Sequence, residues 1–509
     1  MIMKKHLQKL FAVLMLLVGT ISAHAEAYVL WCEGNTTLYF LSSNETLAPG
    51  DTHDGQTITN LWKGTDVTDS PNTTWGDVPK WQEGGLAIYN VVTRVVFEES
   101  FQTVKPKSCC YWFRDCRELE EVIGLGYLDT SEVENMRSMF SYCWALEELD
   151  VSHFNTSKVT DMSWMFADCS RLKSLDVSHF DTSKVISMCE MFATCNALTT
   201  LDVSHFDTGN VTTMNCMFAN CIHLKTLDVS HFNTGKVTDM YAMFSGCSYL
   251  TALDVSHFET SLVTNMKFMF NGCVEVTVLD LSNFNTSNVV EMEEMFHNCS
   301  NLTTLTLSSK FDTSKVPSMR FMFSSCYDLT SLDVSHFNTS QVTDMGFMFN
   351  NCVALPLLDV SHFDTRQVTD MESMFSNCEK LTSLDLSSFN TSQVTDMHYM
   401  FGHDSKMTAV YVSEGWDVSN VEDSESMFYE CTAIVGEDGT TFDANATDKS
   451  KAHYGTGGYL RYKKPAGIID LNADMNMNDN RYYTIDGRRV EQPTQQGVYI
   501  VNGKKVLLK

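Results

Sequence analysis

Proline is scarce in this chain, 8 residues in 509, which excludes a collagen-like or proline-rich extended architecture. Basic side chains are also in short supply, 35 against 64 acidic ones, for a formal net charge of −29. A deficit of that size argues against holding DNA, RNA or an anionic membrane through bulk charge. After the first 18 residues no apolar run is long enough to span a bilayer. Motifs that carry common chemistries are missing: HExxH, GxSxG, GxxxxGK followed by Ser or Thr, and GxGxxG after a strand. What remains is a folded chain, 43% hydrophobic and 19% charged, with an unusual surplus of 17 Cys and 29 Met.

The start reads as a targeting segment. Lys4, Lys5 and Lys9 precede the apolar run from Leu10 to Val18, and Ala23-His24-Ala25 supplies a small-x-small cleavage site, so maturation is expected before Glu26. The run is too short to cross a membrane, and no Cys follows it closely enough for a lipid anchor. The protein is therefore expected outside the cytoplasm.

Self-comparison gives a period of 26 residues, as in the unit LDVSHFDTSKVISMCEMFATCNALTT from Leu175. The Met-Phe pair keeps phase from Met139-Phe140 through Met165-Phe166 to Met400-Phe401 and Met427-Phe428, with Trp112-Phe113 in an atypical first coil. Leu172, Leu175 and Val177 end in period-two alternation, which predicts a short strand with Asp176 and Ser178 pointing out. Asp181-Thr182-Ser183 reads as a turn whose side chains bond nearby amides, followed by a second extended piece around Val185. Met162, Met165, Phe166 and Cys169 stand at i, i+3, i+4 and i+7, one face of a short helix capped by Thr160 or Asp161. One unit cannot bury its own apolar stripe, whereas stacked copies can. The expectation is an α/β repeat solenoid of 26-residue coils, curved, with a parallel sheet on one side and short helices on the other. At about 4.8 Å per coil it should be roughly 60 Å long. Small β-rich segments flank it. The expected organisation is a signal peptide over 1–25, a β-rich lead-in and cap over 26–100, the solenoid over 101–435, a C-terminal cap over 436–463, a linker over 464–480 and a β-hairpin sorting or anchoring module over 481–509.

Stacking accounts for the cysteines. Cys116, Cys143, Cys169, Cys195, Cys221, Cys247, Cys273, Cys299, Cys326, Cys352, Cys378 and Cys431 form one column, with Asp404 as its single lapse. Side chains in such a column point the same way, which suits buried thiols better than disulfides. The off-phase Cys32, Cys109, Cys110, Cys189 and Cys216 are the better candidates for oxidation.

Units of the LDVSHFDTSKVTDM type with MFxxC resemble the BspA-type leucine-rich-repeat surface proteins of Gram-negative anaerobes. Ala27–Trp31, Thr37–Phe40, Val95–Phe97 and Ser108–Phe113 are similar to that family's β-rich lead-in. The resemblance implies a non-enzymatic surface protein used in adhesion, with host matrix or cell-surface proteins, glycans or other bacterial cells as partners. From Arg481 the tail carries six basic against two acidic residues and ends in the hairpin pattern GVYIVNGKKV around Asn502-Gly503. That tail resembles the C-terminal sorting modules of the type IX secretion route, which implies translocation across an outer membrane, then release or attachment at the surface.

Candidate binding residues follow from strand alternation. Asp150, Asp176, Asp202, Asp228, Asp254, Asp280, Asp333, Asp359 and Asp385 succeed the inward Leu and should line an exposed face with Ser152, Ser178 and Ser204. Like charges about 5 Å apart repel by roughly 0.8 kcal/mol per pair in bulk water. Such a face is either well solvated or neutralised by a basic partner or a cation, calcium being the candidate. Asp470, Asn472, Asp474 and Asn476 alternate like an EF-hand loop, but Met475 replaces the required Gly and Arg481 the Glu. The histidines from His153 to His362 recur with the repeat, as corner residues rather than a unique catalytic set. An enzyme site in 26–100, drawn from Asp51, His53, Asp54, Trp62, Trp75 and Trp81, is the competing reading. A purely structural stalk is another. Loose aromatics of this kind more often close the open end of a stack.

Overall fold

The computed structural model describes residues 25–34, 36–69, 79–82 and 88–463, and the backbone of the tail strands 469–470, 482–484, 489–490, 497–501 and 504–508. The leader up to His24, Trp75, Asn472 to Asn476 and the Asn502-Gly503 turn lie outside the described residues. The chain divides into two compact units, Met1–Leu302 with Thr306–Lys310, and Thr303–Leu305 with Phe311–Lys509.

The first unit opens with β1 (Glu26–Cys32), β2 (Thr37–Ser43), β3 (Thr52–His53), β4 (Gln56–Lys63), the one-turn α1 (Thr65–Thr68), β5 (Arg94–Phe97) and β6 (Glu121–Ile123) in a sheet ordered β3-β4-β1-β2-β5-β6. The register explains how this lead-in joins the repeat. β1 is antiparallel to β2 and β4, but β2, β5 and β6 run parallel, so Val95 pairs with Val122 of the first full coil. Behind the sheet, Phe40 stacks on Phe97 at 4.6 Å and on Trp112 at 5.4 Å, while Trp81 meets Trp112 edge-on at 5.7 Å. Trp81 is 1% exposed and its indole donates to the Trp112 carbonyl at 3.1 Å. These aromatics plug the open end of the stack, where a coil has no neighbour to cover its core.

Stacking itself is recorded by a column of parallel bridges from Asp69 to Ser108, Asn135, Asp161, Ser187, Thr213, Asp239, Asn265 and Glu291. A second column links Ser318, Asp344, Asp370, Asp396 and Asp423 in the other unit. Both columns sit immediately before the Met-x-x-Met-Phe run, whose spacing predicts a helix. That expectation is corrected: the described residues of the repeat contain no α-helix. The amides of Met136, Ser138, Phe140 and Tyr142 instead donate to the carbonyls of Asp161, Ser163, Met165 and Ala167 in the next coil, at 2.8–3.0 Å. The intervening amides of Met139, Ser141 and Cys143 close overlapping β-turns on Met136, Ser138 and Phe140 at 3.2–3.3 Å. Two residues per coil take left-handed backbone to make this ribbon, Ser138 (φ 52°) and Tyr142 (φ 62°), then Trp164 (φ 63°) and Asp168 (φ 59°), and so on. The physical reason is space. A helix is about 10 Å across and cannot repeat every 4.8 Å or so, whereas a flat ribbon can. It also keeps both Met, the Phe and the Cys on one side, so the sequence spacing is satisfied without a helix.

The expected strand row is also narrower than predicted. In the first unit, beyond β6, the strand β7 (Val278–Leu281) is formed; β8 (Thr304–Leu307) follows. Between Leu149 and Val255 this row forms a single bridge, Thr200 to Thr226, with the Thr251 amide on the Lys225 carbonyl at 3.4 Å. In the second unit β9 (Ser383–Asp385), β10 (Ala409–Val412) and β11 (Arg461–Tyr462) pair in parallel, order β11-β10-β9. β11 closes that end with Tyr459, fully buried and edge-on to Phe428 at 5.3 Å. In the tail, β12 (Ile469–Asp470), β13 (Tyr482–Thr484), β14 (Arg489–Val490), β15 (Gly497–Val501) and β16 (Lys504–Leu508) form a sheet ordered β12-β16-β15-β13-β14. β15 and β16 are antiparallel with Val501 opposite Lys504, the expected hairpin.

Inside the coils, side chains form columns. Phe166, Phe192, Phe218, Phe244 and Phe270 stack at 5.9 Å with rings within 11° of parallel, each fully buried. Burying each is worth about 1.5–3 kcal/mol. The turn threonines are buried as well: Thr156 donates to the Asp181 carbonyl at 3.0 Å, and Thr130 accepts the Asn155 amide at 2.7 Å, stitching corner to corner. The cysteines do more than fill space. Cys169, Cys195, Cys221 and Cys247 each point the thiol at the carbonyl of a Phe in the coil before, at 3.1–3.2 Å. Asp404 breaks the column. One carboxylate oxygen accepts the Cys378 amide at 2.6 Å, while the other is buried without a partner.

Two outcomes are expected. Burial pushes the Asp404 carboxyl well above its usual range, against the lowering effect of the Cys378 amide. A native value above the unfolded one means folding favours the protonated acid. Stability is then greatest at acid pH and falls as pH climbs from the unfolded carboxylate value, about 3.9, toward the native one. Asp404→Asn should remove that slope and add about 1–3 kcal/mol at pH 7, read from urea denaturation at pH 4, 5.5 and 7; an unchanged slope contradicts it. Thr194 is β-branched yet left-handed (φ 60°), where other coils place Asn220, Gly246 and Asn298. Thr194→Asn should therefore stabilise the fold by about 1 kcal/mol, seen as a higher Tm.

Candidate binding faces

The aspartates after the inward Leu do lie outside the core. From Asp150 to Asp359 they are exposed, and Asp385 is half-buried. Each is committed locally. One carboxylate oxygen of Asp150, Asp176 and Asp202 accepts the amide of Ser152, Ser178 and Ser204 at 3.0 Å. Asp228, Asp254, Asp280, Asp333, Asp359 and Asp385 do the same with the serine two residues on, at 2.9–3.1 Å. This Asx turn ends the strand and swings the chain into the next corner. The serine hydroxyl and amide hold Asp150, Asp176, Asp202, Asp228 and Asp254 below the ordinary carboxylate range. Asp385 has a second oxygen free of this bond, and Lys463 sits 2.6 Å from it.

An open groove of about 710 Å³ runs along this row, lined by Leu175, Asp176, Leu201, Asp202, Leu227 and Asp228 among others. Aliphatic floor and acidic rim alternate along it at the coil spacing. The corner histidines are structural. His205 and His362 meet the carbonyls of Val177 and Val334 at 3.0 and 2.9 Å, and His179, His205 and His257 stand edge-on to the Phe that follows. In the lead-in, His53 pairs with Glu98 at 2.8 Å, Asp54 accepts from Tyr39 at 3.3 Å and Asp51 from the Ala48 amide at 2.8 Å. Tyr39 touches both His53, with ring centroids 4.8 Å apart, and Asp54.

The turn ribbon is a second face, half-buried rather than exposed, which strand alternation does not reveal. LDVSHF recurs unaltered at 149–154, 175–180, 201–206, 227–232 and 253–258. The two residues inside Met-x-x-Met change at every coil: Arg137-Ser138, Ser163-Trp164, Cys189-Glu190, Asn215-Cys216, Tyr241-Ala242, Lys267-Phe268. Variation between copies within one chain is the signal that finds this face. The second of each pair is a left-handed residue, a strained conformation for Trp164 or Phe268 that the stack imposes. Lys267 lies 5.2 Å from the Phe268 ring and bonds Glu293. In the other unit Arg320 bonds Asp370 and Glu372, both at 2.8 Å, and rests 5.0 Å from the Phe347 ring. Asp370, Glu372 and Asp396 are the described carboxylates close enough together to share one cation. They are not members of the Asp-x-Ser row, where calcium was expected, and Arg320 already answers their charge.

The architecture defines a class: a repeat protein whose coils hydrogen-bond to one another in parallel. Family-level comparison then names it. Matches to residues 107–226, 194–277, 272–357 and 354–456 show that the chain belongs to the family described as "Mycoplasma protein of unknown function, DUF285". No curated protein matches it. Among solved structures it is similar to a leucine-rich repeat protein from Bacteroides ovatus, with 13% identity, coverage of 86% of this chain and 98% of that one, and a TM-score of 0.38. It is also similar to the functional domain of InlJ from Listeria monocytogenes, said to include a cysteine ladder, with 19% identity, 60% and 66% coverage and a TM-score of 0.30. Scores at this level establish neither a shared fold nor a shared function.

All seventeen cysteines are free thiols, and fifteen are buried, Cys32, Cys109 and Cys110 among them. Cys189 and Cys216 on the ribbon are half-buried, and burial pushes them up to about 11 and about 12. A thiol reagent should therefore modify only those two in the native protein, slowly at pH 7 and faster toward pH 10, with the rest reacting after denaturation. Peptide mass spectrometry reads the sites; prompt labelling of column cysteines contradicts the packing described.

Proposed function

We propose that this chain is a secreted repeat scaffold, displayed at the surface of a Gram-negative cell, that binds host matrix or cell-surface proteins, glycans or other bacterial cells through an extended face. The supporting observation is the strand row itself. Its carboxylates repeat at the coil spacing, belong to exposed residues, and border an open groove floored by leucines. A partner laid along that row meets the same chemistry at every step, so modest contacts add up. Lys463 on Asp385 illustrates how an ammonium group is received there. The BspA-like repeat pattern and the type IX-like tail support the surface location. Among the described residues no helix is long and apolar enough to cross a membrane.

Asparagine keeps the Asx-turn acceptor while removing charge, which makes a clean test. Asp176→Asn/Asp202→Asn/Asp228→Asn should weaken capture of matrix proteins or bacterial cells by the immobilised full chain at least tenfold, a difference of about 1.4 kcal/mol. It should leave circular dichroism unchanged and raise Tm slightly by relieving repulsion. Unaltered capture in a folded triple variant would count against this face and favour a structural stalk.

A further inference from the structure

The acidic row of the second unit ends in a change of sign. Register places Tyr411 opposite Asp385 on one side and Arg461 on the other, so across β9, β10 and β11 the same position reads Asp, Tyr, Arg. Lys463 crosses back over the Tyr411 ring at 5.8 Å to reach Asp385. Arg461 is not answered in this way. Every other arginine whose side chain is described, from Arg94 to Arg366, stands within 3.6 Å of a carboxylate oxygen. The Arg461 Nε donates to the Val435 carbonyl at 2.9 Å, and the two terminal nitrogens of its guanidinium have no partner among the described residues. In a chain of 64 acidic against 35 basic residues, an arginine without a carboxylate is out of the ordinary.

Arg461 lines an open cavity of about 430 Å³ with Tyr411, Tyr462, Gly436, Glu437 and Gly439. That volume is in the range of a site for one small ligand. The glycine wall is tightly built. Gly436 donates to the Thr440 carbonyl at 2.8 Å, and a Cβ on Gly436 would come within 2.0 Å of the Gly458 carbonyl oxygen. Asp438, between the wall residues, spends one oxygen on the amide and hydroxyl of Thr440 at 2.9 and 2.6 Å and the other on the Gly457 amide at 2.9 Å. Its charge is therefore committed to the turn. Glu437 is exposed at the cavity and forms no ion pair with Arg461.

We propose that this cavity binds a carboxylate-bearing sugar, its carboxylate on Arg461 and its ring against the tyrosines. A guanidinium presents a planar fork that matches a carboxylate. The C–H groups of a pyranose suit the electron-rich face of a tyrosine ring. Glu437 in the same cavity selects against a bare anion and accepts from a ligand that also carries hydroxyl donors. A recess of this size at the end of the row fits one sugar, whereas a polypeptide would follow a groove along the coils. Salt screens the negative charge of the body beyond about 8 Å at 0.15 M, so the local cation still attracts an anion. The proposal rests on the reading of the chain as a binding scaffold and names a ligand class for a site outside the groove of the first unit.

The test titrates the full chain at neutral pH and physiological salt, followed by ligand-observed NMR, with methyl glucuronide, methyl glucoside, acetate and an acetylated hexaglutamate peptide. Expected is binding of the glucuronide over the other three. Arg461→Gln should weaken it about tenfold or more and Arg461→Lys less, since lysine keeps the charge but not the fork. Glu437→Gln should weaken the glucuronide about threefold without weakening acetate. Circular dichroism and Tm check folding, and the exposed Glu437 keeps the test decisive should Arg461→Gln disturb the Val435 bond. No preference for the glucuronide, acetate or the peptide bound as well as it, or binding unaltered in folded Arg461→Gln overturns the proposal. Capture of matrix proteins or cells through Asp176, Asp202 and Asp228 is measured on the same preparations. If that persists while the glucuronide fails, the scaffold reading stands; if both fail, both fall.

Discussion

Every other amide of the turn ribbon points at the next coil, and the rest of the architecture follows from that. Met136, Ser138, Phe140 and Tyr142 spend their amides on the neighbouring coil rather than on their own. The ribbon must then be flat, and flatness requires a left-handed residue twice per coil. The apolar columns inherit their spacing from the same bonds. Phenylalanine rings lie 5.9 Å apart because the backbones that carry them are held in hydrogen-bonding contact. Buried thiols and threonines finish the stitching by serving carbonyls of adjoining coils.

One consequence is an asymmetry between the faces. The ribbon is bonded coil to coil, while the Leu-Asp-Val row in the first unit is largely unpaired and opens into a groove. The row is chemically uniform, because each Asp makes the same turn onto the Ser two residues later. The ribbon pair is chemically diverse, from Arg137-Ser138 to Lys267-Phe268, along a half-buried face. Uniform chemistry suits a repetitive, additive contact. Diverse chemistry suits recognition at a particular coil.

Much of this was legible beforehand. The 26-residue period, the buried cysteine column, the outward Asp-x-Ser, the packing role of the corner histidines and the tail hairpin all follow from spacing alone. The helix did not survive. Met162, Met165, Phe166 and Cys169 fit a helical face, but the same four positions fall on one side of a turn ribbon, and spacing cannot tell the two apart. The Asn and Gly at positions such as Asn220 and Gly246 hint at left-handed backbone, yet Tyr142 and Thr194 occupy equivalent sites under protest from their own preferences. The thiol-to-carbonyl contacts were also hidden, since they need the identity of the atom one coil away.

Sequence by itself determined that this protein is a stack, because an apolar stripe repeated every 26 residues has nowhere to go except onto its own copy. It also determined which residues are inside. Only the tertiary structure decided how the coils are joined, because an amide's partner depends on how closely two backbones approach, and the strand spacing leaves no room for a helix. The same decision set which face opens.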